Sequence, residues 1–275
     1  MKKCKFILVI LSLILILSTG CSNSNGNAKE SSAEELNAVE KIKASGKIVL
    51  GTSADFPPNE FHKNINGVDT IVGYDIEIAK EIAKDLGVEL EIKDMRFDGL
   101  LAALNTNKVD FVLAGMTPTE ERKQSVDFSK VYNYGEQCIV IKAENKEKYT
   151  SNEDLAGKII GVQKGAIQEK IAKNQLPDST PKGLGKVTDL VLLINNDKAD
   201  AIIIPKDVAI SYVKENPQLA ISSIKVENTY EGSAVAIKKG NTQLVNEINK
   251  TIDRLVEKDM IKKFIADAKA LAKEN

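Results

Sequence analysis

"FDGLLAALNTNKVDFVLAGMTPTEERKQ", Phe97–Gln124, carries the pattern on which the fold turns. Its first part, Phe97–Lys108, reads as a short helix. "VDFVLAG" (Val109–Gly115) is then an apolar run without polar alternation, as expected of a strand buried on both faces. Thr117, Pro118 and Glu120 follow with the spacing of a capping box that has proline at the first helical position. Free N–H groups in such a first turn, together with the helix dipole, favour an anion. Arg122 leans back toward the same place, and a guanidinium grips a carboxylate through two parallel bonds. A surface pairing of Arg122 with Glu120, Glu121 or Asp127 fits the residues equally well.

Working outward, strands and helices alternate from Lys47 onward. "KIVLGTS" is a β-branched run. "GYDIEIAKEIAKDLG" sets Ile76, Ala79, Ile82, Ala83 and Leu86 at helical spacing and ends at Gly87, a C-terminal cap. "VELEIKDM" alternates as a strand. The pattern pauses at "CIVIKAEN" and restarts. "LAGKIIGVQKG" contains a strand, "AIQEKIAKNQL" a helix, "DLVLLINND" a helix or a strand, "ADAIIIPKD" a strand, and "VAISYVKENPQL" a helix stopped before Pro217. After the extended "SAVAIKKG", residues 243–274 form one or two amphipathic helices. The fold class is α/β, with parallel sheets covered on both faces. Two such units separated by two extended segments imply two lobes and a cleft, where ligands bind beyond the carboxyl ends of the strands.

With 275 residues, 43% hydrophobic and 28% charged, the chain has material for a sizeable core and no disordered bias. A net charge of −1 argues against a nucleic-acid partner. "MKKCK" followed by the apolar Phe6–Leu17 is too short to span a bilayer at ~20 residues and reads as a signal peptide over 1–20. "STGC" resembles a lipobox, with Ser18 where Leu is usual. That makes Cys21 the lipidated N-terminus, against a plain signal peptide in which Cys21 is incidental. Residues 21–45 begin polar and without apolar periodicity, and are expected to be a flexible tether. Cys138, the one cysteine of the folded part, lies in an apolar run and reads as core, with no disulfide or redox role.

Two further strand ends look built for contact. In "GTSADFPPNEF", Ser53 and Asp55 are short polar groups, and Phe56 either stacks on a ligand or tucks into the core. In "GVQKGAIQEK", Gly165 permits a tight turn before a helix opening near Ala166, a second anion site from the other half of the chain. His62, the only histidine, sits in the polar loop "HKNING" and is expected at the surface. No catalytic triad or metal cluster is recognisable, and no cofactor is expected.

The stretches "GTSADFPPNEF…VGYDIEIAKEIAKDLG", Phe97–Ser129 and "DLAGKIIGVQKGAIQE" together resemble the bacterial extracellular solute-binding proteins, family 3, the receptors of polar amino-acid ABC importers. Gly73-Tyr74-Asp75 and the "T.ER…DFS" element are the most specific parts. The resemblance implies a two-lobed type II periplasmic-binding-protein fold with two crossing hinge strands, "CIVIKAE" and "SAVAIKKG". The first lobe would take 46–140 and 231–275, the second 141–230. It also implies a monomeric, lipid-anchored receptor on the extracellular face of the membrane, palmitoylated, partnered by an ABC permease and not an enzyme.

Family ligand contacts fall on Phe56 and Phe97 as aromatics, Ser53 at the ligand side chain, and Ala114, Gly115, Thr117 and Arg122 at the carboxylate and ammonium. The second lobe would add Gln163, Gly165, Ala166, Ile167 and Gln168. Two departures stand out. Ala166 and Ile167 replace hydroxyl residues, and Pro205 stands where an acid usually meets the α-ammonium. Asp207 or Glu231 would then have to supply that charge, or the ligand is another small carboxylate. A cyclohexadienyl-dehydratase-like enzyme and a sensor or surface protein are the alternatives on this fold.

Overall fold

The computed structural model describes residues 36–227 and 232–273. The signal peptide, Cys21 and Glu231 lie outside the described residues.

Two five-stranded sheets organise the chain. In the first, Glu89–Asp94, Lys47–Thr52 and Phe111–Val112 run parallel, and Ser233–Lys238 pairs antiparallel with both Phe111–Val112 and Val126–Asn133. The second repeats the plan, with Thr180–Leu184, Ile159–Gln163 and Ala201–Pro205 parallel, then Gln137–Lys142 antiparallel to Ala201–Pro205 and Leu219–Ile221. The sheets are therefore mixed where the alternation suggested parallel ones. The reason is topological. In each sheet the fourth strand enters from the other lobe, so no helical crossover within its own lobe sets its direction.

The first passage between sheets falls at 134–136, just ahead of "CIVIKAE", because Gln137–Lys142 belongs wholly to the second sheet. The return strand, Ser233–Lys238, lies in the first.

Helix Tyr74–Leu86 forms where the apolar spacing predicts it and ends on Gly87 in the left-handed region, φ 74°. It buries Ile76, Ile78, Ile82 and Leu86 against Ile48, Leu50 and Phe111. Each such side chain contributes about 1.5–3 kcal/mol of burial. "DLVLLINND" resolves as helix, Val187–Asn195, and the C-terminal stretch as two helices, Thr242–Glu257 and Met260–Leu271.

Three local expectations are corrected. Ala38–Ser45, counted with the tether, is a helix, closed at its start by a capping box between Asn37 and Glu40. "HKNING" belongs to a hairpin, Glu60–Ile65 with Val68–Val72, in which His62 Nδ1 meets Asp69 at 2.9 Å across the strands. The helix after Pro118 starts two residues later than its capping box suggested. Its N-cap is Thr119, whose hydroxyl accepts from the Arg122 N–H, and the helix spans only Glu120–Lys123. Thr119 N–H turns back onto the Thr117 carbonyl at 2.9 Å, which keeps Pro118 out of the helix and leaves Thr119, itself extended, as the cap.

Candidate functional site

The strand ends of both sheets enclose a cavity of about 330 Å³. That is near the small end of ligand sites, roughly 300–1,000 Å³, and suits a molecule the size of one amino acid. Phe56, Phe97, Ala114, Gly115, Thr117 and Arg122 line it from the first lobe. From the second come Gln163, Ala166, Ile167, Gln168 and Pro205. The local strand–turn–helix logic thus brings nearly all the expected residues together.

Two expected residues fall elsewhere. Ser53 is 1% exposed at the end of Lys47–Thr52, and its hydroxyl donates to Asp55 Oδ1 at 3.1 Å, away from the lining. Gly165 lines an adjoining groove, and its N–H is taken by Glu169 Oε2 at 3.1 Å. The expected use of that N–H for an anion is therefore corrected by a carboxylate of the same helix.

Arg122 is buried and held from both sides of the cleft. Nη1 donates to the Thr117 carbonyl at 2.7 Å and Nη2 to the Gly165 carbonyl at 2.9 Å, while the guanidinium lies 5.3 Å from the Phe97 ring centroid. The acids beside it in sequence each meet a lysine: Glu120 with Lys123, Glu121 with Lys170 and Asp127 with Lys239. These two carbonyl acceptors fix the orientation of the guanidinium in the cavity wall.

Behind this wall, the Gly73-Tyr74-Asp75 element does the positioning. At Gly73, φ 129°, a Cβ would lie 2.1 Å from the Asn59 carbonyl oxygen, so only glycine allows the approach. The N–H groups of Tyr74 and Asp75 then donate to Pro58 and Asn59, clamping the Phe56–Glu60 segment. Asp75 Oδ2 accepts from the Gly115 N–H at 3.0 Å and from the Tyr132 hydroxyl at 2.9 Å. Gly115 itself has φ 54°, and a Cβ there would lie 2.9 Å from the Phe56 ring.

The Glu60 carboxyl lies beside that of Asp75, and neither Glu60 oxygen meets a protein donor among the described residues. A proton shared between the two gives one Glu60 oxygen a partner on Asp75. Burial pushes both groups up, Asp75 to about 6 and Glu60 well above the usual carboxylate range.

The lobes also touch directly. Asp55 Oδ2 accepts from the Val187 N–H, so an acid of the first lobe caps helix Val187–Asn195 of the second. The Tyr212 hydroxyl donates to the Asp55 carbonyl at 2.7 Å, and Lys186 pairs with Asp94 at 2.8 Å. Of its two alternatives, Phe56 takes the core one, packing with Val187, Leu190 and Tyr212 in the second lobe's core, and it also lines the cavity. Cys138 belongs to the same cluster, and burial pushes its thiol up to about 12, the state of an inert core residue.

Sequence reasoning missed the segment Asn133–Gln137, "NYGEQ", which lines the cavity as the chain crosses between lobes. A polar, glycine-containing break between two apolar runs was the available signal. Glu136 there meets Lys206 at 2.8 Å, and Asp207, also in the lining, meets Lys269 at 2.9 Å. Among the described residues, no group of three or more His, Cys, Asp or Glu could hold a metal ion.

Residues 48–267 match the model of the bacterial extracellular solute-binding proteins, family 3. The arginine-binding extracellular protein ArtP of Bacillus subtilis is 37% identical over 263 residues, 94% of each chain. A crystal structure of the amino acid ABC transporter substrate-binding protein AbpA from Streptococcus pneumoniae, bound to L-arginine, superposes with a TM-score of 0.83 at 39% identity. It covers 86% of this chain and 100% of that one. The ancestral amino acid-binding protein AncCDT-1, a precursor of cyclohexadienyl dehydratase, is 32% identical with a TM-score of 0.75, covering 83% and 98%.

Proposed function

We propose, for a chain that belongs to the bacterial extracellular solute-binding proteins, family 3, that the ligand is a cationic amino acid, L-arginine first among them. The protein is the substrate-binding component of an ABC importer and takes an amino acid or a related small carboxylate in the cleft. The observation that carries the choice is the make-up of the cavity. Arg122 supplies a carboxylate grip, and Phe56 offers an aromatic face for a flat cation beside the Phe97 ring that already faces the Arg122 guanidinium. The relatives named for arginine support the same choice.

In this reading the carboxylate meets Arg122 and Thr117 with the backbone at Ala114 and Gly115, while Gln163, Ala166 and Ile167 close from the second lobe. The protein is a receptor and not an enzyme. It works as a monomer, with 46–140 and 231–275 forming one lobe and 141–230 the other.

Calorimetric titration with L-arginine, L-lysine, L-histidine, L-glutamine and L-cystine tests the ligand. L-arginine is expected to bind most tightly, and a preference for a neutral amino acid would overturn the choice. We also place the protein on the outer face of the membrane, held by a diacylated Cys21. Cys21→Ala is expected to abolish palmitate labelling and release the protein into the medium. Labelling that persists in the variant would refute the anchor.

A further inference from the structure

The two lobes also meet at the sheet edges that lie away from the crossing at 134–136. Glu89–Asp94 is the edge strand of the first sheet, four strands from Val126–Asn133, where the chain leaves that lobe. Thr180–Leu184 is the edge strand of the second, three strands from Gln137–Lys142, where the chain enters. At about 4.8 Å per strand, contacts made at these edges act roughly 15 Å from the crossing, with a long lever on opening.

Five residues of the first lobe, Asp94–Asp98, make these contacts. Asp94 accepts from Lys186 Nζ through both oxygens, at 2.9 and 2.8 Å, and Asp98 meets Lys164 at 3.3 Å. Between the two pairs, the Phe97 N–H donates to the Gly185 carbonyl at 3.4 Å. Arg96 packs directly on Gly185, where a Cβ would lie 2.1 Å from its Nε. The segment is fastened to its own lobe, since Met95 N–H donates to the Thr52 carbonyl at 3.0 Å and Ala54 N–H to Asp94 Oδ1 at 2.8 Å. The side chains of Asp94 and Lys186 are 26% and 24% exposed, so their attraction exceeds that of an open surface pair. Asp94, Asp98, Lys164, Gly185 and Lys186 all stand outside the cavity lining. Phe97 connects them to it, because its ring lines the cavity and faces the Arg122 guanidinium.

We propose that Asp94–Asp98 is a latch, closing on Lys164 and Gly185–Lys186, that sets how long the cleft holds its ligand. The latch acts on escape of the ligand and not on contacts with it. The inference rests on an amino acid being held in the cavity.

The test is stopped-flow tyrosine fluorescence with L-arginine on the wild type and on Lys164→Glu combined with Lys186→Glu. Turning two attractions into repulsions is expected to speed release about 10-fold and to leave the association rate within about threefold. In the wild type, raising NaCl from about 0.05 to about 1 M should speed release several-fold. Lys164→Ala combined with Lys186→Ala should lose most of that salt dependence and release about threefold faster at low salt. If the charge-reversed protein does not fold, the alanine pair decides. Release within about twofold of wild type in the reversed protein, or a loss of affinity carried wholly by slower association, overturns the latch and leaves the ligand reading intact. A wild type that ignores L-arginine overturns the ligand reading, and small-angle scattering without ligand then decides the latch. The reversed protein should show a larger radius than the wild type, and identical profiles would refute it.

Discussion

The two walls of the cleft are built on the same strand plan and differ in what they offer a ligand. The first lobe presents a charged group, Arg122, on a scaffold fixed by buried polar contacts: Asp75 to Gly115 and Tyr132, and Gly73 against Asn59. Facing it, the second lobe offers small apolar residues and amides, Ala166, Ile167, Gln163 and Gln168, around a strand end closed by Pro205. The contrast separates two tasks. In the proposed reading one wall supplies charge recognition, on a scaffold held by those buried contacts. The other supplies closure, and its own contacts to the first lobe, through Asp55 and Lys186, make that closure firm.

Removing the charge breaks the comparison most severely. Arg122→Ala is expected to weaken L-arginine binding by about 100-fold or more, the loss of a two-pronged charge-assisted contact. Calorimetry reads it directly, and binding within about threefold of wild type would deny Arg122 its role.

Closure is the next target. Asp55→Ala removes the cap on helix Val187–Asn195, about 1 kcal/mol, and should weaken the ligand by roughly fivefold. Small-angle scattering of the ligand-free variant should show a larger radius than the wild type. Identical profiles and affinities would mean that the Asp55 contact does not hold the lobes together.

The fold and the first wall were largely legible because their signals are local. Val109–Gly115 announces a buried strand, Gly87 a helix end, and Arg122 lies one turn from the residue whose carbonyl it grips. The second wall was less so. Ser53 fits a ligand contact by position, yet the neighbouring Asp55 takes its hydroxyl, and Asp55 is itself committed to a helix about 130 residues away in sequence, Val187–Asn195. That partnership comes from closing two lobes and has no local pattern. The start of helix Glu120–Lys123 was misplaced for a different reason. Thr117 and Thr119 flank the same proline, and the turn that ties the Thr119 N–H to the Thr117 carbonyl, which has no signal in the residue types, leaves Thr119 as the cap.

The rigidity of the first wall has a pH signature. Glu60 and Asp75 have folded-state pKa values raised by burial, so the folded protein holds protons that the unfolded chain releases above about pH 4. Their contribution is full below that value and is lost as pH rises through about 6 for Asp75 and through the raised range of Glu60. Glu60→Gln keeps a neutral partner for Asp75. It should raise the thermal midpoint at about pH 8 and leave it nearly unchanged at about pH 4. An equal shift at both values would show that the pair carries no extra proton.

The smallest effect sharpens the second wall. Ala166 is the N-cap of helix Ile167–Gln175 and has no side-chain group to cap with. Ala166→Ser is expected to stabilise that helix by about 0.5–1 kcal/mol and raise the melting midpoint by a few degrees. An unchanged midpoint would mean that the turn already satisfies its N–H groups by other means.

The central claim is that one end of the cavity is a carboxylate grip. Titration of the wild type with L-arginine and with agmatine, which has the same guanidinium arm and no carboxylate, tests it most directly. The grip predicts that L-arginine binds and that agmatine binds about 100-fold more weakly or not at all. Agmatine binding as tightly as L-arginine would contradict it.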